Sequence, residues 1–582
     1  MDQSIKSKSK KLFVAAIDFG TTYSGYAFSI SQNWRKLMAC HWQGGGLISH
    51  KAPTALLLKK AGGSDPVFEA FGYTAEDRYA TLTAKKEHKD YLYFQRFKMI
   101  LHKDFEVNKS IECSDITGEK LEATQVFMHC IRYLKDHLID KINEKFAGTS
   151  DRDIEYVLTV PAIWGDKAKM FMREAAVKAG IEKDHLIMAL EPEAASIYCQ
   201  HLQIENLRDP NASVLGSVDN GTTYMVVDLG GGTADITVHK KCIDNTLEEI
   251  MPASGGPWGG KSVDDKFIDF LSELGGKKVL KLLKETNMED YVDILRTFER
   301  TKRAITLEKK GNVFVRIPLS FINLCKKENN LDDFSQVIKK SPHKENVNYG
   351  PGKLKMTADF VRGFFKKTSD GIVKHIEDLF NEEAVRDVNH ILMVGGFSEC
   401  KLIQKAIKDN FPEKRVIIPE ESGLAILYGA VYFGHIPDAI SRRVARFTYG
   451  IQTWPKFDSK THRKEKQVDI KGEKRCKDVF FSFVRKGEQI SNSFSKSQIF
   501  RPLHTEDAIL ECGIFVSTEK NPEYVDDASC RRLGTLRVSL PKVSDATQLE
   551  IEETFYFGET ELRVVARDVI SNLSQDIVVE LL

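Results

Sequence analysis

Apolar positions first fall into runs that read as strands, then into three- and four-residue steps that read as helices. Leu12 to Ile17 is a continuous apolar run, as in a buried strand. Tyr26, Phe28 and Ile30 then alternate with small or polar residues, as in a returning strand. Val226 to Val238 repeats the device: apolar strand, Gly-rich turn, apolar strand. Leu121 to Ala147 carries Val126, Cys130, Leu134, Leu138 and Ile142 at helical spacing. Glu155 to Val160 predicts a strand, followed by a helix that Asp166 caps and Gly180 ends. A short strand, Leu186 to Leu190, leads into Glu191-Pro192-Glu193 and a helix from Ala194. Met288 to Leu307 and Ala358 to Phe380 read as amphipathic helices. His390 to Val394 predicts a buried strand running into Gly395-Gly396-Phe397-Ser398, and a helix over Leu424 to Gly434 closes this part. Residues 51–119 mix apolar pieces with polar loops, 205–220 reads as a variable loop, and 326–352 as a loop-rich edge.

After His435-Ile436-Pro437 the helical period stops. Short alternating segments follow at Val444–Ile451, Val479–Val484, Ile509–Val516, Leu536–Leu540, Leu549–Phe557, Glu561–Ala566 and Ile577–Leu582. Turns rich in Gly, Asn, Asp or Lys separate them, which predicts an all-β sandwich. The basic stretch Thr461 to Lys477 reads as a solvated hairpin tip, since aromatics are not interleaved with its charges. Before that region, hairpin, long insertion, strand and helix occur twice over. This predicts an α/β fold made of a duplicated unit with a cleft between its halves.

Composition narrows the class. A formal charge of +1 on 582 residues gives no global field for nucleic acid or an anionic membrane. The ten cysteines contain no CxxC pair, which argues against zinc, a redox motif or a disulfide framework. The Lys/Ser-rich start, residues 1–11, lacks an apolar core and reads as a disordered basic tail rather than a secretory signal. The longest apolar run, Ala425 to Gly434, is too short to span a bilayer.

The chemistry-bearing residues gather at the turns. In Asp18-Phe19-Gly20-Thr21-Thr22, Gly20 can take positive φ and let backbone N–H groups approach an anion. Thr21 and Thr22 add hydroxyls, and Asp18 stands where it can hold a hydrated cation. Gly230-Gly231-Gly232-Thr233 is a stronger anion signal, because three glycines weaken a hairpin unless its backbone is needed. Asp228 and Asp235 bracket it. Gly395-Gly396 at a strand–helix junction offers further backbone to a ligand. Glu299, Lys302, Arg303 and Thr306 share one helical face, which is either a salt-bridged solvent face or a wall that grips a ligand. Lys98 is a cation set within the aromatic run Tyr91 to Leu101. Gly255 to Ser262 fits the GxxxxGK[ST] phosphate-loop pattern. The stretch before it, Leu247 to Ser254, is a poor strand, and Pro257 and Trp258 suit a bulky loop, so the match reads as a decoy.

The two hairpins, Val160-Pro161, Glu191-Pro192 and Gly395-Gly396 occur in order. Together they resemble the ATPase domain of the actin/hexokinase/70-kilodalton heat-shock protein superfamily. Thr159-Val160-Pro161-Ala162 and Asp18 to Ser24 point to the heat-shock branch, and Gly25-Tyr26, the Pro257-Trp258 loop and the short C-terminus resemble its divergent member-12 subfamily. The resemblance implies an actin-like two-lobed ATPase domain over residues 12–437 and a β-sandwich substrate-binding domain without a helical lid over 438–582. It implies ATP or ADP with Mg²⁺, the metal held through water by Asp18 and Asp228, with Glu191 near the attacking water and Lys98 as the catalytic lysine. Thr21, Thr22 and Tyr23 would meet the phosphates from one hairpin, and Gly230, Gly231 and Thr233 from the other, with Gly232 in the same turn and Asp235 behind. Glu299, Lys302, Arg303 and Thr306 would grip adenosine, backed by Gly395, Gly396 and Ser398. Gly423 stands where the family has an Asp, Lys169 replaces an Arg, and Arg442 to Phe447 replaces an apolar acidic linker. The function implied is a cytoplasmic or nuclear stress-response chaperone. It would be a slow ATPase that binds protein or peptide clients and works with co-chaperones, with no nucleic acid and no membrane span. A non-catalytic nucleotide-sensing adaptor and a small-molecule kinase are the alternatives.

Overall fold

The computed structural model describes residues 11–44, 47–102, 107–202, 218–350, 352–470, 472–501, 509–539, 550–557, 560–569, 574–577 and 580–581. The basic tail over 1–10, most of the polar segment 205–220, and Leu540, Leu549 and Leu582 lie outside them.

The first apolar run forms a fully buried strand, Phe13–Phe19, that turns back into Tyr23–Ile30. The parallel strands Ile154–Val160 and Leu186–Leu190 extend the sheet on its other side. A second sheet repeats the plan. Its hairpin is Thr223–Leu229 and Ala234–Lys241, and its parallel strands are His390–Val394 and Arg415–Ile417. Both hairpins therefore end their first strand beside a parallel strand that feeds a helix. The helices Glu191–His201 and Ala425–His435 pack on each other and on both sheets, sharing a core of Val14, Val157, Ala195, Val226, Leu392 and Val431. This shared core sets the two hairpins opposite one another.

Several elements differ from the reading above. Residues 51–119 contain an antiparallel sheet and the helix Gly72–Lys85, whose polar sequence hides it. Leu247–Gly256 is a strand despite its Pro and carboxylates, because it pairs with Ala234–Lys241 through register shifts. Residues 326–352 hold most of two helix–strand pieces, including Phe334–Lys340 and Val347–Gly350. The helix starting at Met288 stops at Ala304, where Ile305 turns to extended backbone and buries its side chain. Thr306 consequently lies beyond the helix and is exposed.

Past residue 437 the strand Ile440–Val444 joins the edge of the second sheet, and Gln489–Ser491 adds to it. Arg443 makes a two-pronged ion pair with buried Glu193, at 2.7 and 2.9 Å. A five-stranded and a four-stranded antiparallel sheet follow, with Ile451, Phe483, Ile514 and Leu536 of one meeting Ile551, Phe555 and Val564 of the other. Thr461 to Lys477 includes the hairpin Gln467–Ile470 and Glu473–Cys476. This region touches the first sheet's helix Asp166–Lys178: Tyr449 donates to Asp166 at 2.9 Å, Lys169 to the Thr560 carbonyl, and Arg173 pairs with Glu561. A cavity of about 100 Å³ remains at the junction, walled by Trp164, Lys169, Glu249, Arg443 and Phe447. Among the described residues no helix is long and apolar enough to cross a membrane.

Candidate functional site

The two hairpin turns abut. A Cβ on Gly231 would run into the Thr22 hydroxyl, and one on Gly232 would sit 2.7 Å from the Thr21 hydroxyl and against the Met99 sulfur. None of Gly20, Gly230, Gly231 and Gly232 takes positive φ, contrary to the expectation for Gly20. At Gly20, Gly231 and Gly232 close approach requires glycine instead: a Cβ on Gly20 would strike the Tyr23 carbonyl.

The phosphate-loop decoy has a different task. The amides of Gly259, Gly260 and Lys261, at the start of the helix Gly260–Gly275, donate to the carbonyls of Gly232, Gly230 and Gly231 at 3.2, 3.2 and 2.8 Å. They are thus spent on the second hairpin and are not available to a phosphate. In a trans peptide the C=O and the next N–H point in opposite directions. Holding these three carbonyls therefore aims the amides of Gly231, Gly232 and Thr233 away from the helix, as an anion nest requires. Lys261 itself pairs with Asp265 on the surface.

Four carboxylates converge below the turns. Asp228 and Asp235 are register partners across the second hairpin, and one oxygen each of Glu191, Asp228 and Asp235 lie within 4.8 Å of one another. Asp228 Oδ1 and both oxygens of Asp235 are buried with no hydrogen-bond partner among the described residues. Burial, with Glu191 as neighbour, pushes the Asp228 carboxyl well above the usual range and Asp235 up to about 8. A cluster that must hold protons to stay neutral is one that a divalent cation fits, because the cation replaces those protons. Lys98, buried and 4.9 Å from the Trp164 ring, donates to Glu191 Oε1 at 3.0 Å. Burial raises the Glu191 pKa and Lys98 holds it back only in part.

Asp18 is arranged otherwise. Thr159 donates to one oxygen at 2.9 Å and Lys51, absent from the sequence reading, to the other at 2.6 Å. Burial opposes ionisation, but Lys51, with help from Lys98 and Thr159, outweighs it and keeps Asp18 below the usual range. Asp228 thus has an oxygen with no hydrogen-bond partner among the described residues, whereas each oxygen of Asp18 already accepts a hydrogen bond.

At the far end, Lys302 bridges Glu299 and Asp264 at 2.7 Å each, and Arg303 holds Glu299 at 2.8 Å. Burial alone would raise the Glu299 pKa, but the two cations bring it down to about 2. Arg303 also lies over the Tyr23 ring at 4.7 Å, so helix Met288–Ala304 reaches the first hairpin. The face is both salt-bridged and turned to the cleft. Thr306 is not part of it; its carbonyl accepts from Arg362. Arg96 joins Asp264 at 2.8 Å from the opposite side. Ser398 is fully buried and donates to the Gly395 carbonyl, while Gly396 faces open space. Sequence reading missed Lys51, Arg96 and Asp264; only Arg96 carried a visible signal, a charge set inside an apolar run, while Lys51 follows Ser49-His50 and Asp264 precedes Asp265-Lys266.

A cleft closed by two Gly-Thr hairpins, with convergent carboxylates and one buried lysine, offers amides and hydroxyls that suit phosphate oxygens and carboxylates that suit a metal. Residues 90–475 match the family model described as Hsp70 protein. The chain is 31% identical to Heat shock 70 kDa protein 12A of Homo sapiens, covering 100% of this chain and 93% of that protein. It is 32% identical to Heat shock 70 kDa protein 12B of Homo sapiens, covering 96% and 90%. It is also 27% identical to the chaperone protein DnaK of Endomicrobium trichonymphae, covering 54% and 45%. The chain belongs to the Hsp70 family and is similar to its member-12 proteins. That membership implies nucleotide and Mg²⁺ binding in general.

Proposed function

We propose that the protein is an ATP-binding, chaperone-like member of its family, hydrolysing ATP slowly and coupling the cleft to protein or peptide binding by the β-region. The observation that carries this is the opposition of the two hairpins above the partnerless oxygens of Asp228 and Asp235. The architecture that fits is an actin-like, two-lobed ATPase domain over 12–437 with a β-sandwich over 438–582.

In this reading Thr21, Thr22 and the amides of Gly231, Gly232 and Thr233 cradle phosphate oxygens from both sides. Tyr23, Glu299, Lys302 and Arg303 wall the nucleoside, with Gly395 and Gly396 behind. Glu191, Asp228 and Asp235 would hold Mg²⁺, which when bound screens phosphate charge and polarises the transferred group. Lys98 opposes protonation of Glu191 and orients it at the same place. Glu191 begins the helix whose third residue, Glu193, grips Arg443, so the cleft and the strand leading to the β-region share one rigid element. Clients and co-chaperones would be proteins, met through the β-region.

Isothermal titration with ATP and ADP beside a phosphate-release assay tests the reading. One site per chain with slow release supports it. Binding without release would instead support a nucleotide-sensing adaptor. Asp228→Asn is expected to keep the fold, because the amide has the same shape and burial already disfavours charge on Asp228, and to lower phosphate release about 100-fold or more. Unchanged release in that variant would sink the assignment.

A further inference from the structure

Lys51 lies at the bend before the short strand Ala52–Pro53, which pairs with Tyr23 and Ser24 of the first hairpin. Its ammonium donates to Asp18 at 2.6 Å and to the Gly423 carbonyl at 2.8 Å. Asp18 ends a strand of the first sheet. Gly423 lies against Gly396, and its neighbour Ser422 accepts from the Gly395 amide at the end of a strand of the second sheet. One side chain therefore ties the two walls of the cleft beside the carboxylates. The backbone is shaped to admit it. Gly25 is the register partner of Asp18, and a Cβ there would stand 2.8 Å from the His50 carbonyl and 3.0 Å from Lys51 Cγ. Any other residue at 25 would press on the lysine stem.

The charges sort accordingly. Of the four carboxylates, Asp18 has Lys51 and Glu191 has Lys98. The oxygens left without partners belong to Asp228 and Asp235. We propose that Lys51 is a built-in cation at Asp18. It confines the divalent metal to Asp228, Asp235 and Glu191, and turns its third N–H to a phosphate oxygen of the bound nucleotide. This rests on the nucleotide reading above, and it makes ATP binding less dependent on magnesium than a site with a bare Asp18 would be. An ammonium keeps compensating phosphate charge when the metal is withdrawn, because it is covalently part of the cleft.

The test compares wild type, Lys51→Met and Lys51→Arg. ATP affinity is measured by isothermal titration in excess magnesium and in EDTA. In Lys51→Met the magnesium-to-EDTA affinity ratio is expected to exceed that of wild type by about tenfold or more, while Lys51→Arg stays near wild type. A ratio within about twofold of wild type in Lys51→Met would overturn the proposal. Magnesium alone, without nucleotide, supplies an independent arm. It is expected to raise the melting temperature of Lys51→Met more than that of wild type, because Asp18 regains an open oxygen. Equal shifts would again overturn it. Should wild type bind no ATP in either buffer, the nucleotide reading fails and the magnesium-only arm still decides the role of Lys51. Should Lys51→Met fail to fold by circular dichroism, Gly25→Ala, which displaces the stem and keeps the charge, is expected to raise the same ratio and shift.

Discussion

Arg443→Met isolates the contact that locks the strand Ile440–Val444 to the rest of the chain. The strand is also held by two register pairs with Leu247–Gly256, by three with Gln489–Ser491, and by the Val444 amide, which donates to Glu249 at 2.9 Å. Arg443 and Glu193 meet at 2.7 and 2.9 Å with their side chains only 12% and 3% exposed. Breaking a buried pair from one side leaves an uncompensated charge and costs about 3–5 kcal/mol. The neighbouring His239 cannot take over, since burial lowers its pKa to about 4 and keeps it neutral. The local opening constant of residues 440–446 should then rise by roughly two to three and a half orders of magnitude. Hydrogen exchange of these amides in the full chain reads that number, and tryptic cleavage at Arg442 and Arg446 reads it independently. Glu193→Leu combined with Arg443→Met is expected to recover most of the loss, because an apolar pair replaces a buried ion pair at little cost. Wild-type protection in Arg443→Met, or a double variant as labile as the sum of the singles, would refute the reasoning.

Two further outcomes are expected. Lys261→Ala should leave ATP affinity within about twofold of wild type, because Lys261 makes only an exposed i,i+4 pair while its backbone does the supporting; titration of the variant with ATP checks this. Glu553 is buried between the two β-sheets with Oε2 partnerless among the described residues, and burial raises its pKa to about 7, with the Cys512 thiol as its one favourable partner. A carboxyl raised in the folded state stabilises below its unfolded pKa and loses that contribution as pH climbs through the folded one. The β-region should therefore lose about 2 kcal/mol between pH 5.5 and 8.5. Urea melts should show this slope in wild type and lose it in Glu553→Gln; an unchanged slope contradicts the assignment.

What could be read from the chain was local. The hairpins announced themselves because Asp, Gly and Thr at a strand turn have few other uses, and the helix Ala123–Asn143 because its apolar stripe is regular. What escaped was either weakly patterned or distant. Gly72–Lys85 begins at a glycine after Phe71 with no side-chain cap and carries mostly polar residues. Thr306 kept the helical step by number, yet Ile305 ends the helix to bury itself. Lys51 meets Gly423 across 372 positions, and Arg443 meets Glu193 across 250. Neither pairing leaves a trace in spacing or period. The GxxxxGK[ST] match shows the converse, a pattern without its chemistry, since its amides are already bound to the hairpin it supports.

The central claim is that two opposed hairpins clamp one nucleotide triphosphate. Isothermal titration of magnesium-ATP into the full chain tests it most directly. One site per chain, competed by ADP and lost when Gly231→Val drives a side chain into Thr22, is the result expected. Absence of saturable heat with the wild-type chain, or undiminished binding by Gly231→Val, would contradict the account.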